Sequence, residues 1–256
     1  MLLEVKNLSV KIKKSGKEIV KNISFNMEEN TCLGILGESG SGKSMTCKSI
    51  LGILKDNLEA SGEIIFDGRN LLTLKKEESR DIRGREICMI LQNPMTSFDP
   101  LYTIENQLLE TFLEHLNINR DEAYKLAVES LEKMRLKDIE EVLKKYPHEL
   151  SGGQLQRVCI ARAISTKPKF IMLDEAVSSL DISTQVEILN LLQELKKSYS
   201  LSYIFVTHDL LTLTYICDSV IFFKEGRIVE KVDSLEKLCE VKDDYSKALL
   251  DAVIEF

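Results

Sequence analysis

A chain of 256 residues with 44% hydrophobic side chains can bury a sizeable core, and its length suits one core with an inserted lobe better than two full domains. A formal charge of −7, from 34 basic and 41 acidic residues interspersed along the chain, argues against nucleic acid or an anionic membrane surface as the main partner. Six cysteines without a C-x-x-C pair speak against a disulfide framework or a zinc site and for reduced thiols, and no apolar run has the length of a membrane span or a secretory h-region.

The first stretch alternates through Leu3, Val5, Leu8 and Val10, then Ile19, Ile23, Phe25 and Met27, with Gly16 among lysines between the two sets. This predicts two antiparallel strands joined by a hairpin turn. Asn30 occupies a turn position before Thr31–Leu36, an apolar segment short enough for a buried strand. Gly37-Glu38-Ser39-Gly40-Ser41-Gly42-Lys43-Ser44 follows, and Met45 to Leu54 carries apolar residues at helical spacing. Strand, glycine-rich turn and helix in that order make G-x-x-x-x-G-K-[ST] a phosphate-binding loop. Its glycines let successive N–H groups face an anion, and the helix adds its positive dipole end. Lys43 then reaches the β- and γ-phosphates, and Ser44 offers its hydroxyl to Mg2+.

Gly62 to Gly68 reads as a strand closed by a turn, and the charged residues from Lys75 to Arg85 as a solvated connector. Ile87–Leu91 is a buried strand ending in the polar Gln92-Asn93-Pro94. From Ile104 to Leu143 the period becomes helical, with Ala123, Leu126, Ala127, Leu131 and Met134 on one face; 93–156 is the inserted lobe. Leu150-Ser151-Gly152-Gly153-Gln154 then opens a second helix with exposed N–H groups, suited to another phosphate contact. A plain N-cap would explain Ser151 but not the two glycines.

Phe170–Leu173 runs into Asp174 and Glu175 at the carboxyl end of a buried strand. There Asp174 can hold Mg2+ and Glu175 can polarise the water that attacks the γ-phosphate. Two acids capping a helix would explain the pair in isolation; the phosphate loop upstream favours chemistry. Tyr203–Val206 ends similarly in Thr207-His208, where a histidine at a strand end is structural or contacts the γ-phosphate. Gln92 at its strand end suits Mg2+ and water; His115 and His148 are read as surface or structural residues. A helix from Ser183 to Lys197 and strands at Val220–Phe223 and Arg227–Val229 complete an alternation typical of an α/β parallel sheet.

In this order the loop Gly37–Ser44, Gln92, Leu150–Gln154, Asp174-Glu175, Ser179-Leu180-Asp181 and His208 resemble the nucleotide-binding subunits of ABC transporters, over essentially the whole chain. The resemblance implies one ABC ATPase domain over 1–256, with a P-loop NTPase (RecA-like) core, an antiparallel β-subdomain and an inserted α-helical subdomain. The core with its β-lobe would take 1–92 and 157–235, the helical signature subdomain 93–156, and a C-terminal tail 236–256. It further implies Mg2+ on Ser44, Gln92 and Asp174, and catalysis by Glu175, His208, Gln92 and Lys43. ATP would be held by Gly37 through Ser44 with Thr46 and Gln92, and by Ser151, Gly152, Gly153 and Gln154 of a second ATPase subunit, with Asp181 at the seam. The partner would make a heterodimer, or a homodimer in isolation. Two permease subunits would bind the pair peripherally at the cytoplasmic face of the membrane, with an extracellular solute-binding protein acting indirectly.

Gln92 to Pro100 and Tyr146 to Leu150 are similar to the dipeptide, oligopeptide and nickel import branch, and the short chain with Cys239 alone near its end resembles the nickel-import ATPases most. Nickel or a metal chelate is therefore the expected cargo, with a peptide as the alternative. Two positions depart from the family. Ile12 stands near where it often stacks adenine on an aromatic ring, and Ala176-Val177 stand where it usually has Pro-Thr. Two other classes compete. An ABC-type ATPase of DNA repair or translation would carry a long coiled coil or a second fused ATPase unit, and a small-molecule P-loop kinase would leave Leu150–Gln154 without a task.

Overall fold

The computed structural model describes residues 1–254. In chain order its elements begin with strands β1 (Leu3–Ile12), β2 (Glu18–Met27) and β3 (Cys32–Leu36), helix α1 (Lys43–Ile50), strands β4 (Leu58–Phe66) and β5 (Arg69–Asn70), helix α2 (Lys76–Ile82) and strand β6 (Ile87–Leu91). Helices α3 (Ile104–His115), α4 (Arg120–Lys133), α5 (Ile139–Lys144) and α6 (Gly152–Ser165) follow. Then come β7 (Phe170–Asp174), α7 (Ile182–Tyr199), β8 (Ser202–Thr207), α8 (Leu210–Ile216), β9 (Ser219–Lys224), β10 (Arg227–Val232) and α9 (Asp244–Ile254). Met1–Arg80 together with the chain from Ser200 onward forms one compact unit, and Asp81–Tyr199 forms another. Among the described residues no helix is long and apolar enough to cross a membrane.

In the first unit, β2, β1, β4 and β5 make an antiparallel sheet, with the predicted hairpin closing β1 onto β2. Leu3, Val5, Leu8 and Val10 are all buried although Val5 and Leu8 are three apart. The ladder shifts between them, where Asn7 takes φ 49°, and the extra residue re-phases the alternation. β3 lies between β8 and β9 and runs parallel to both, and β10 pairs antiparallel with β9. Every residue of β3 and β8 is buried, as continuous apolar runs covered on both faces should be. With Leu36 opposite Thr207 in parallel register, Gly37 and His208 leave at the same edge of the sheet.

Several elements differ from the sequence expectation, among them β4, which begins at Leu58 rather than Gly62, and α9, which lies in the expected C-terminal tail. α1 covers Lys43–Ile50 rather than Met45–Leu54, because Gly52 turns left-handed at φ 64° and leaves Ile53 exposed. The expected connector from Lys75 contains helix α2, which buries only Ile82. A helix with so narrow an apolar stripe leaves no 3.6-residue period to read.

In the second unit, β6 and β7 pair in parallel with Leu91 opposite Asp174, so Gln92 and Glu175 follow side by side at one edge. Ala123, Ala127, Leu131 and Met134 are buried and Leu126 half-buried, as the helical period predicts. Arg162 of α6 donates to Ser97 O at 2.9 Å and lies 4.4 Å from the Phe98 ring centroid. It thereby ties the turn that follows Gln92 to the helix begun by Ser151.

Candidate functional site

The phosphate loop joins β3 to α1 within the first unit. Gly42, at φ 112°, is the N-cap of α1, and a Cβ there would stand 3.0 Å from Ile19 O. Only glycine adopts that backbone without strain. Gly37 is excluded from carrying a side chain differently: a Cβ would meet Phe223 O of β9 at 2.1 Å. Lys43 is buried, and its Nζ donates to Gly37 O at 2.6 Å and to Glu38 O at 2.7 Å. Thr46 is fully buried and donates its hydroxyl to Gly42 O at 3.2 Å, so its side chain shores up the first turn of α1. Glu38, Ser39 and Gly40 are exposed at the crest, and Ser44 is half-buried at the start of α1.

Two observations fit a nucleotide phosphate here. A Cβ on Gly40 would meet nothing within 4 Å, so the crest is open. Ser41 Oγ is buried with no hydrogen-bond partner among the described residues, a polar atom that a phosphate oxygen would satisfy. His208 is exposed at the end of β8, and the next residue, Asp209, caps α8 by accepting from Leu211 and Thr212 N–H.

The second unit carries the other candidates. Asp174 is buried at the end of β7, and Glu175 follows half-buried at φ 51°. That left-handed conformation costs a non-glycine residue about 1 kcal/mol, and such residues collect at functional sites. Ser178 holds the turn by donating to Glu175 O at 2.9 Å, and Gln92 Nε2 donates to Ser178 Oγ at 3.2 Å. Ser179 Oγ completes the link by donating to Gln92 O at 3.2 Å. Gln92 is thus tied to the loop of Glu175, an arrangement that the register of β6 and β7 makes possible. Ala176 and Val177, which stand where the family pattern has Pro-Thr, are buried beneath it.

Ser151 is the N-cap of α6, accepting from Gln154 N–H at 3.2 Å, while Gln154 Oε1 accepts from Ser151 N–H at 3.0 Å. This reciprocal box gives both residues a structural task, in line with the N-cap reading of Ser151. It leaves Gly152 exposed and Gly153 half-buried, and a Cβ on Gly153 would lie 2.6 Å from Thr184 Cγ2. Asp181 lies in the same neighbourhood, accepting from Ser183 Oγ at 2.6 Å and Thr184 N–H at 3.0 Å. Those hydrogen bonds, Ser183 first, hold its carboxyl well below the usual carboxylate range, so it is ionised at any physiological pH.

The structure therefore brings His208 to the sheet edge of the phosphate loop, Gln92 to the acids, and Gly153 to the Asp181 loop, each set within one unit. The donors proposed for Mg2+, a hydroxyl on Ser44, an amide on Gln92 and a carboxylate on Asp174, are all oxygen-bearing, as a hard cation requires. Ile12, near the expected adenine platform, is half-buried at the end of β1. One contact of the phosphate loop has no counterpart in the sequence reading: Tyr245, assigned to a C-terminal tail, accepts from Glu38 N–H at 3.1 Å. No local signal marks a residue whose partner lies 207 positions away.

Residues 20–178 match the family model described as ABC transporter. The metal-staphylopine import system ATP-binding protein CntD of Staphylococcus aureus is 38% identical over 249 residues, covering 97% of this chain and 92% of the relative. The oligopeptide transport ATP-binding protein OppD of Escherichia coli is 37% identical over 254 residues, covering 98% of this chain and 75% of the relative. Among solved structures, the dimeric post-hydrolysis state of the ATP-binding cassette MJ0796 bound to ADP and Pi aligns with a TM-score of 0.79 at 28% identity, covering 90% of this chain and 97% of that one.

Proposed function

The chain belongs to the ABC transporter family, and from that premise we propose that it is one half of a two-subunit motor, built so that each ATP is closed over by the partner's α6. It is the ATPase of an importer, working with ATP and Mg2+. The observation that carries the two-subunit reading is the second glycine-bearing helix N-terminus, Ser151-Gly152-Gly153, in a chain that already has one phosphate loop. Two such termini in one subunit are explained when two subunits share two nucleotides.

Within that reading Gly37–Ser44 wraps the phosphates and Lys43 neutralises the β- and γ-oxygens. Bound Mg2+ would draw charge from the same oxygens, with Ser44, Gln92 and Asp174 as its protein donors. Glu175 takes a proton from water as the water oxygen bonds to the γ-phosphorus. The bond from that phosphorus to the β–γ bridging oxygen breaks, giving ADP and inorganic phosphate. His208 holds the γ-phosphate or the attacking water, and Asp181, ionised at the start of α7, lies at the subunit seam. Turnover should rise more steeply than linearly with protein concentration, and Ser151→Ala should lower it about tenfold or more while leaving the affinity for Mg-ATP intact. Turnover proportional to concentration and indifferent to Ser151 would overturn the shared-site reading.

The partner is a second ATPase subunit, different from this chain in the working importer. Two permease subunits dock the pair at the cytoplasmic face of the membrane, contacting the segment after Gln92. For cargo we favour nickel or a metal chelate delivered by a solute-binding protein. The relative named for metal-staphylopine import, 38% identical over 97% of this chain, supports this. Titrating the importer's solute-binding protein with nickel, nickel chelates and short peptides tests it. Tight binding of nickel or its chelate is expected, and binding of peptides alone would replace this cargo with a peptide.

A further inference from the structure

Helix α9 reaches a peptide group of the phosphate loop. The Tyr245 hydroxyl accepts from Glu38 N–H at 3.1 Å, and that N–H shares its peptide plane with Gly37 C=O. Gly37 O in turn accepts from Lys43 Nζ at 2.6 Å. A trans peptide is one rigid plane, so a partner fixed on its N–H side sets the direction of the carbonyl on the other side. The tyrosine hydroxyl and the lysine ammonium thus grip opposite ends of one unit.

Tyr245 is itself held firmly enough to act as a reference point. Lys224 Nζ, at the end of β9, lies 4.8 Å from its ring centroid. The neighbouring residue, Phe223, supplies the carbonyl against which Gly37 packs, so the end of β9 touches both the loop and the ring of Tyr245. At the start of α9, Asp243 Oδ1 accepts from Tyr245 N–H at 2.9 Å. Glu230 of β10 anchors that turn by accepting from Lys242 N–H at 2.6 Å and Asp243 N–H at 3.2 Å. Burial lifts the Tyr245 hydroxyl above the usual tyrosine range, and the hydrogen bond from Glu38 N–H opposes that shift in part.

We propose that Tyr245 is a positioning residue for Lys43: by holding the Gly37–Glu38 peptide plane it fixes the carbonyl that presents the ammonium to the nucleotide phosphates, which makes α9 part of the ATP site. The inference rests on the assignment of Lys43 to those phosphates. Its test is a double-mutant cycle on the full-length chain, titrated with Mg-ATP up to millimolar concentration. Tyr245→Phe, which keeps the ring and removes the acceptor, should weaken binding about fivefold. In a Lys43→Ala background the same substitution should change nothing, because the carbonyl then presents no ammonium. A merely structural role for α9 would lower affinity equally in both backgrounds. That result, or wild-type affinity in Tyr245→Phe, overturns the proposal. If Lys43→Ala binds as well as wild type, the assignment of Lys43 itself falls, an outcome separate from the other two.

Discussion

Glu175→Gln should lower steady-state phosphate release from the assembled ATPase by at least about 100-fold while ATP still binds. The substitution nearly preserves shape while it removes the negative charge and with it the capacity to take a proton. The backbone at this position is set by other groups: a buried β7, the left-handed turn at φ 51° and the Ser178 hydrogen bond to Glu175 O. None of these needs a carboxylate, so the fold and the Gln92–Ser178 link should survive. With hydrolysis blocked and binding intact, Mg-ATP should also hold the two subunits together, and size-exclusion chromatography should show a dimer that ATP promotes and that persists. Wild-type turnover in this variant would remove Glu175 as the general base. His208 would then be the next candidate, since it leaves the sheet at the same edge as the phosphate loop.

Gly37→Ala should cripple the site from the opposite direction, through packing rather than chemistry. The added methyl would stand 2.1 Å from Phe223 O and 3.2 Å from Ser41 Oγ. The first is a backbone atom of a buried strand and cannot rotate away, so the loop must move instead. Overpacking of this kind costs about 1–3 kcal/mol, and the melting temperature should fall by about 2–10 °C. The functional loss is larger. Moving Gly37 displaces the carbonyl that holds Lys43 Nζ at 2.6 Å, and a charge-assisted hydrogen bond to phosphate depends on that placement. Calorimetric titration should therefore show Mg-ATP affinity lowered by about 10- to 100-fold. Unchanged affinity would mean that the loop tolerates displacement and that its contact with β9 is incidental.

Features encoded within a short window of residues are legible in the sequence. β3, β7 and β8 stand out as unbroken apolar runs because both of their faces are covered. The phosphate loop is legible for a related reason: glycine is the residue that permits Gly42 its φ of 112°, and its spacing from Lys43 and Ser44 is set by one turn of backbone. Asn30, expected in a turn, takes φ 59°. Where local signals are absent or ambiguous, the sequence misleads. α2 is hidden because it buries one side chain, and α1 reads as too long because Ile53 and Leu54 keep helical spacing beyond the glycine that stops the helix.

The sequence alone determined the residue types of the chemistry: a lysine and a serine at a helix start, two acids and a histidine at strand ends, and a second glycine-bearing helix terminus. Tertiary structure alone decided which of them lie side by side. Parallel register placed Gln92 beside the acids and His208 beside the phosphate loop, and packing brought Gly153 against Thr184. Only the folded chain carries Tyr245 across 207 positions to one N–H of the phosphate loop. The physical reason is the range of the signal. Periodicity and turn chemistry act over a few residues, whereas register and long-range contacts are settled by how whole elements bury their apolar faces together.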